Sequence, residues 1–157
     1  MDKLILFTDG SVNTRTKTGY GAYLAVPEIG PSPELLRKQV KVKRFEDTSS
    51  TRLELETLLW ALKEVGKSAK KFIVYTDSQN IMKLEGRRER LEKNNYKTKK
   101  NRLLNNHELY IEFYKMIDRL DCEFIKVRGH LGSHKKDDID MLFTLVDRES
   151  RKALRQE

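Results

Sequence analysis

The chain has 157 residues and a formal net charge of +8, with 36% charged and 38% hydrophobic residues. This composition is typical of a folded domain with a core of its own, and it excludes a disordered chain. Apolar runs such as residues 4–7 are far shorter than the roughly 20 residues that cross a bilayer, and we see no secretory signal. Cys122 is the only cysteine, which excludes an internal disulfide and favours a reducing compartment. We therefore expect a cytoplasmic protein without a membrane partner.

The first third of the chain predicts a three-stranded antiparallel meander. Residues 4–7 form a continuous apolar run, as in a strand buried on both faces, and Asp9-Gly10-Ser11 is predicted to end it. Residues 19–26 alternate along one face, and residues 27–33 are rich in turn formers. Residues 40–45 alternate apolar and basic side chains, which is typical of an edge strand.

Helices and two further strands are predicted in the rest of the chain. Ser49, Ser50 and Thr51 are N-cap candidates for a helix over residues 52–65 that Gly66 ends. A strand over residues 72–75 follows, then a helix from about Gln79 and another over about 107–120. A fifth strand over 123–127 and a final helix over about 137–155 complete the order. No repeat or linker interrupts it, so we expect one domain over residues 1–157.

A basic stretch lies between the two helices that follow the fourth strand. From Arg87 to Arg102 there are eight Lys or Arg against two Glu, a net charge of +6. Tyr96 and several Asn lie among these cations. Cations mixed with an aromatic ring and amides suit a phosphate backbone better than a lipid surface. The stretch therefore predicts a nucleic-acid partner.

Three carboxylates occupy positions that a purely structural protein rarely needs. Asp9 and Asp77 each follow an apolar strand, and such residues are also common in turns and helix caps. If their strands are parallel neighbours, both carboxylates project into one pocket beyond the strand ends. Glu54 stands at the head of the apolar face that continues through Leu58, whereas Glu56 falls on a more polar side. A carboxylate on a core-facing side is costly unless it is paired or metal-bound.

The final helix offers a fourth acid. Asp140 and Asp147 are seven residues apart and share one helix face. The residues alone leave open which of the two closes the site. Carboxylate oxygens suit hard cations such as Mg²⁺ or Mn²⁺, and the lack of a Cys/His cluster argues against zinc. Carboxylates that hold two ions roughly 3.5–4 Å apart suit in-line phosphodiester hydrolysis, in which one ion activates water and the other stabilises the leaving oxygen.

The motifs in this order resemble those of type I ribonuclease H over nearly the whole chain. Thr8-Asp9-Gly10-Ser11 looks like the family's first-strand motif, and Thr51-Arg52-Leu53-Glu54-Leu55 looks like its first-helix motif. Thr76-Asp77-Ser78-Gln79 is similar to the segment around its second catalytic Asp, and Val127-Arg128-Gly129-His130 to its His loop. The basic stretch, with Asn95-Tyr96-Lys97-Thr98 and then Leu104-Asn105-Asn106, resembles the substrate-binding handle at about residues 87–106.

The resemblance implies an α/β ribonuclease H-like fold with a five-stranded mixed sheet, an antiparallel meander plus parallel strands, flanked by helices. It implies an endonuclease that cuts the RNA strand of RNA–DNA hybrids and leaves 5′-phosphate and 3′-hydroxyl ends. Two Mg²⁺ ions, with Mn²⁺ as a substitute, would be held by Asp9, Glu54, Asp77 and an acid of the final helix. His130 would assist proton movement or product release.

The last motif departs from the family pattern. The usual spacing after the His points to Asp140, but Val146-Asp147-Arg148 with Ser150 resembles the family's helix motif more closely. Two extra helical turns would reconcile the spacing, and we favour Asp147.

Hybrid recognition is expected to use shape and the ribose 2′-hydroxyl rather than base edges. Polar residues near the predicted site are candidates for hydroxyl and minor-groove contacts, and handle residues for phosphates of the DNA strand. The first set is Asn13, Ser50, Thr51, Gln79 and Asn80; the second is Lys97, Thr98, Lys99 and Lys100, and Tyr96 and Asn106 of the same handle are further candidates for nucleic-acid contact.

Two other functions remain open from the sequence. One is a module of the same fold that binds hybrid or structured RNA without cutting it. The other is a DNA nuclease or resolvase of the same superfamily. Neither a polymerase domain nor a separate hybrid-binding domain is evident, and we expect a monomer without an obligatory protein partner.

Overall fold

A mixed five-stranded sheet forms the centre of the molecule. The computed structural model describes residues 1–30, 33–127 and 137–157. The strands are β1 (Lys3–Asn13), β2 (Thr18–Val26), β3 (Lys41–Phe45), β4 (Lys71–Thr76) and β5 (Asp121–Lys126), arranged in the order β3-β2-β1-β4-β5. The pairs β1–β2 and β2–β3 are antiparallel, and β1–β4 and β4–β5 are parallel. The predicted fold class, with its meander and parallel strands, is confirmed.

Helices cover both faces of this sheet. They are α1 (Pro33–Leu36), α2 (Ser50–Val65), α3 (Gln79–Lys93), α4 (His107–Arg119) and α5 (Asp138–Arg155). Alternation along β1 sends Leu4 and Leu6 into a core with α2, α3 and α4, and Ile5 and Phe7 into a second core with α5. In the described residues no helix is both long and apolar enough to span a bilayer.

Helix α2 approaches the sheet closely because two strand positions lack a side chain. A Cβ atom on Gly10 would lie 2.8 Å from a methyl carbon of Leu53, and one on Gly21 would lie 2.1 Å from the Thr57 hydroxyl oxygen. Such contacts would force the helix outward. The glycines therefore allow the first half of α2, which carries Glu54, to sit against β1 and β2.

The prediction that Asp9-Gly10-Ser11 ends the first strand is wrong. Strand β1 continues to Asn13, because its residues beyond Phe7 still pair with β2, out to Asn13 opposite Thr18. Only the parallel pairing with β4 stops, at Phe7 opposite Tyr75. Helix α1, which begins at Pro33, and the 3₁₀ turn over Arg37–Gln39 that follows it were not predicted.

Candidate active site

Asp9 and Asp77 stand at the same level of the sheet. The parallel register pairs Phe7 with Tyr75, and each Asp lies two residues further along its own strand direction. Strand β4 ends at Thr76, so Asp77 leads out of it towards α3. Both carboxyl groups line one small cleft with Glu54. The predicted convergence of these three acids is therefore present, although Asp9 projects from within a strand.

Glu54 reaches this cleft from the first turns of α2. Its carboxylate accepts a hydrogen bond from the Ser78 hydroxyl, with 2.5 Å between the oxygens. The same Ser78 oxygen accepts from the backbone N–H of Ile81 and so caps α3. Burial, and then the negative charge of Asp77, raise the pKa of Glu54, while the Ser78 hydrogen bond lowers it. Ser78 thus joins the N-terminus of α3 to the carboxylate on α2.

Glu56 differs from Glu54 in its surroundings. Its side chain is only 16% exposed. The face of α2 that carries Glu56, which was predicted to be the more polar one, is therefore largely covered at this position. The Thr48 hydroxyl donates to its carboxylate at 2.5 Å, and the Arg52 guanidinium lies 3.7 Å away. Glu56 therefore fixes the start of α2 to the segment before it and does not line the cleft.

The two acids of α5 have different positions. Asp140 lies in the first turn, where its carboxylate and that of Asp137 accept from each other's backbone N–H in a capping box. Asp147, two turns further on, lies near enough to Asp9 that its side-chain hydrogen bonding and its charge raise the pKa of Asp9. Arg151 donates to the Asp147 carboxylate at 3.0 Å. Asp147 is therefore the acid of α5 that joins Asp9.

A hydroxyl pair sets the rotation of α5 over β1. The hydroxyl oxygens of Ser11 and Ser150 lie 3.0 Å apart, and Ser150 is completely buried. The Ser150 hydroxyl also lies 2.9 Å from the carbonyl oxygen of Asp147. Ser11 follows Asp9 by two residues and Ser150 follows Asp147 by three, so this pair holds the two acids in register.

The electrostatics of the cleft favour a protonated Asp9 in the metal-free protein. Burial raises the pKa of Asp9 to about 9, and the charge of Asp77 and the hydrogen bond and charge of Asp147 act in the same direction. The backbone N–H of Gly10 opposes this shift. Clustered carboxylates that lack a compensating cation retain a proton in this way.

The side chains present fit divalent magnesium by their chemistry. Every donor at the cleft is an oxygen, as Mg²⁺ prefers, and burial first, then the charges of Asp77 and Asp147, raise the pKa of Asp9, so a bound cation would stabilise its ionised form. No set of three or more His, Cys, Asp or Glu among the described residues is in metal-holding geometry. Ser78 donates a hydrogen bond to the Glu54 carboxylate, and Arg151 donates one to the Asp147 carboxylate. Both carboxylates are therefore held by neighbouring side chains. His130 lies outside the described residues.

A groove beside the cleft gathers several of the handle residues. It runs between the N-terminus of α2 and the segment that joins α3 to α4, where Lys97 and Leu103 form a short bridge. Lys97 lines an adjoining hollow of the same segment, and Tyr96 packs at the edge of the core. The predicted residues that line the groove itself are Thr51, Thr98, Lys99, Lys100 and Asn106.

The remaining predicted contacts are more dispersed. The side-chain oxygen of Asn13 accepts from the backbone N–H groups of Arg15 and Thr16, which is turn stabilisation at the β1–β2 connection. Ser50 and Gln79 are exposed in the first turns of α2 and α3. Asn80 accepts from Arg87 at 3.2 Å, and its buried amide nitrogen has no hydrogen-bond partner among the described residues.

Several residues that position the site were missed from the sequence. Arg52 donates to Asn106 and forms an ion pair with Glu108, so it ties the end of the handle to α2. The only feature of the sequence that pointed to Arg52 was its place near Glu54 in the first-helix motif. Ser11 and Ser150 each stand in one of the motifs, but neither motif indicates that their hydroxyl groups meet, because only the packing of α5 on β1 brings them together.

Comparison with known proteins agrees with this architecture. The family model for RNase H matches residues 1–146. The chain is 30% identical to the ribonuclease H of Clostridium botulinum strain Hall over 146 residues, covering 90% of this chain and 93% of that protein. It is also 30% identical to the ribonuclease H of Caldicellulosiruptor saccharolyticus over 135 residues, 83% of this chain and 86% of that protein. The chain belongs to the ribonuclease H family, and the predicted resemblance is confirmed.

A solved structure shares the fold at low sequence identity. The foamy viral protease–reverse transcriptase, determined in complex with double-stranded DNA, superposes with a TM-score of 0.67 at 12% identity. The superposition covers 95% of this chain and 94% of that one. Membership of the family makes the protein a hydrolase of the nuclease class. The family match ends one residue before Asp147, so the role of that residue depends on its contact with Asp9.

Proposed function

We propose that this protein is an endonuclease that hydrolyses the RNA strand of RNA–DNA hybrids with two bound Mg²⁺ ions, leaving 5′-phosphate and 3′-hydroxyl ends. The observation that supports this most is that Asp9, Glu54 and Asp77, from three different segments, line one small cleft, with Asp147 of α5 near enough to Asp9 to raise its pKa. Clustered acids that raise the pKa of one of their number contribute little to the stability of a fold, but they suit a bound cation.

The residues of the chain would divide the work as follows. Asp9, Glu54, Asp77 and Asp147 would hold the ions, with Mn²⁺ as a substitute for Mg²⁺. When bound, the ions supply an activated water and stabilise the leaving oxygen. Asp9 would lose its proton as the site fills, and Ser78 would keep Glu54 directed at the cleft. His130 would assist proton movement or product release.

The groove beside the cleft suits the second strand of a hybrid. Its lysines and Thr98 would bind phosphates of the DNA strand, and Asn106, which Arg52 holds, would orient that strand. Thr51, Gln79 and Asn80 would contact ribose hydroxyl groups or the minor groove, together with Asn13 and Ser50, and Tyr96 would contact the hybrid from the handle. A deoxyribose strand cannot supply a 2′-hydroxyl, so such contacts would select RNA at the cleft.

A panel of substrates tests the proposed function. End-labelled RNA–DNA hybrid, duplex DNA and duplex RNA of one sequence would each be incubated with the protein and Mg²⁺. We expect internal cuts in the RNA of the hybrid alone. Cleavage of duplex DNA would favour the nuclease or resolvase alternative. A hybrid that binds but stays intact in both Mg²⁺ and Mn²⁺ would favour a non-cleaving module.

Neutralising the handle should flatten the salt dependence of hybrid binding. We expect the Lys97→Gln/Lys99→Gln/Lys100→Gln variant to lose about 0.9 in the slope of log K against log salt for each phosphate contact removed. Fluorescence anisotropy with Ca²⁺ in place of Mg²⁺ would measure this slope. A Lys67→Gln/Lys70→Gln/Lys115→Gln variant, which removes three exposed charges elsewhere, is the control. Equal slopes for the wild type and the handle variant would contradict the assignment.

A further inference from the structure

A second groove lies on the outer side of α5, away from the handle. It measures about 730 Å³ and runs between α5 and the segment over Pro33–Leu36 that leads to β3. Its lining includes apolar side chains, among them Met141, which is 42% exposed, and Leu145. The final-helix motif includes Asp147 and Arg148 of this lining, but neither the motifs nor the proposed function assign a role to the groove itself.

The lining of the groove carries more positive than negative charge. Five cations line it, against the acids Glu34, Asp147 and Glu149. Two of the cations are paired there, Arg37 with Glu149 at 3.1 Å and Arg151 with Asp147 at 3.0 Å. The other three, Arg148, Lys152 and Arg155, are exposed and have no salt-bridge partner in residues 1–30, 33–127 and 137–157.

These three cations form a line along the helix. Their spacing of four and then three residues places them on one face of α5, over about 10 Å of helix length. The positive electrostatic potentials of the three side chains add, because like charges on one face do not cancel. The line therefore suits a chain of negative charges better than a single anion.

One residue of the groove lies close to the cleft. Asp147 lines the groove and also contacts Asp9. A strand bound at the cleft would therefore meet the groove when it extends past α5. The exposed Met141 and the half-buried Leu145 offer an apolar surface against which the unpaired bases of a single strand can pack, whereas the bases of a duplex are stacked inside it.

We propose that the α5 groove binds the phosphate backbone of single-stranded nucleic acid that continues from the strand held at the cleft. Arg148, Lys152 and Arg155 contact the phosphates, and the apolar part of the lining contacts the bases. The proposal rests on the proposed function for the position of the strand. It extends that function from the hybrid itself to hybrids with a single-stranded RNA extension.

Binding of matched hybrids tests the groove separately from cleavage. Three fluorescent ligands would be compared in Ca²⁺: a blunt hybrid and the same hybrid with a ten-nucleotide RNA extension at either end. We expect one extension to tighten binding and to steepen the salt slope by about 2, from three single-strand phosphate contacts at roughly 0.7 each. The Arg148→Gln/Lys152→Gln/Arg155→Gln variant should lose that gain and still bind and cut the blunt hybrid as the wild type does.

Several outcomes would overturn the groove assignment. They are no gain from either extension, an equal loss by the groove variant on blunt and extended hybrids, and the same loss in the Lys67→Gln/Lys70→Gln/Lys115→Gln control. An acidic peptide that binds the groove while the extensions have no effect would also overturn it. If the extension binds through these cations but no hybrid is cut, the groove stands and the proposed function fails.

Discussion

The Asp9→Asn variant should be more stable than the wild type in the absence of metal, and it should not cut the hybrid. The pKa of Asp9 is about 9 in the folded protein against an ordinary value near 3.8. Between these values the folded state binds more protons than the unfolded state, so wild-type stability falls as pH rises. Asn cannot ionise and matches the protonated acid in shape. At pH 7.5 we expect a gain of at least about 1 kcal/mol in the free energy of unfolding.

The loss of activity should be large. Removing one of the carboxylates that would hold the ions should slow cleavage by about 10³-fold or more, equivalent to about 4 kcal/mol of transition-state stabilisation. Thermal melts in chelator at pH 5, 7 and 9 should show an advantage for the variant that grows with pH. Asp2→Asn, at an exposed position, is the control for both measurements. A variant that is less stable at every pH, or that still cuts at the wild-type rate, would contradict this view of Asp9.

Replacing Asp147 and Asp140 by Asn, one at a time, should have opposite effects on the rate of cleavage. Asp147→Asn should reduce cleavage about as far as Asp9→Asn, because its carboxylate is near enough to raise the pKa of Asp9 and would hold the same ions. Asp140→Asn should leave the rate close to that of the wild type and lower the free energy of unfolding by less than about 1 kcal/mol, because it alters a capping box.

Parallel rate measurements on the hybrid, with thermal melts of both variants, would decide between the acids. The two variants serve as each other's control, since each changes one carboxylate of the same helix to an amide. If Asp140→Asn abolished cleavage and Asp147→Asn did not, the family's usual spacing would prevail and the contact between Asp147 and Asp9 would be structural.

The strands and most helices could be predicted because their signals are local. Apolar runs, alternation and caps such as Ser49, whose side chain accepts from the Arg52 N–H, lie within a few residues of the elements they define. The prolongation of β1 past Asp9 was missed because it depends on pairing with β2, which is a property of two segments together. Helix α1 was missed because its four residues are too few for a periodic pattern.

The candidate site was predicted to the extent that its residues stand in motifs. Asp9, Glu54 and Asp77 could be chosen because each combines a carboxylate with an element boundary or a core-facing position. The choice of Asp147 over Asp140 depended on a resemblance, and the structure adds the contact with Asp9. The tie between Ser11 and Ser150 spans 139 residues and has no sequence signature. Long-range contacts of this kind follow only from the fold.

The chemistry of the cut ends tests the central claim most directly. Hybrid with end-labelled RNA would be incubated with the protein in Mg²⁺, in chelator, and in chelator followed by excess Mg²⁺, and the termini of the products would be identified. We predict internal cuts that require Mg²⁺ and return when it is restored, with 5′-phosphate and 3′-hydroxyl ends. Cleavage that persists in chelator and leaves 2′,3′-cyclic phosphate ends would contradict a carboxylate site that acts through bound metal.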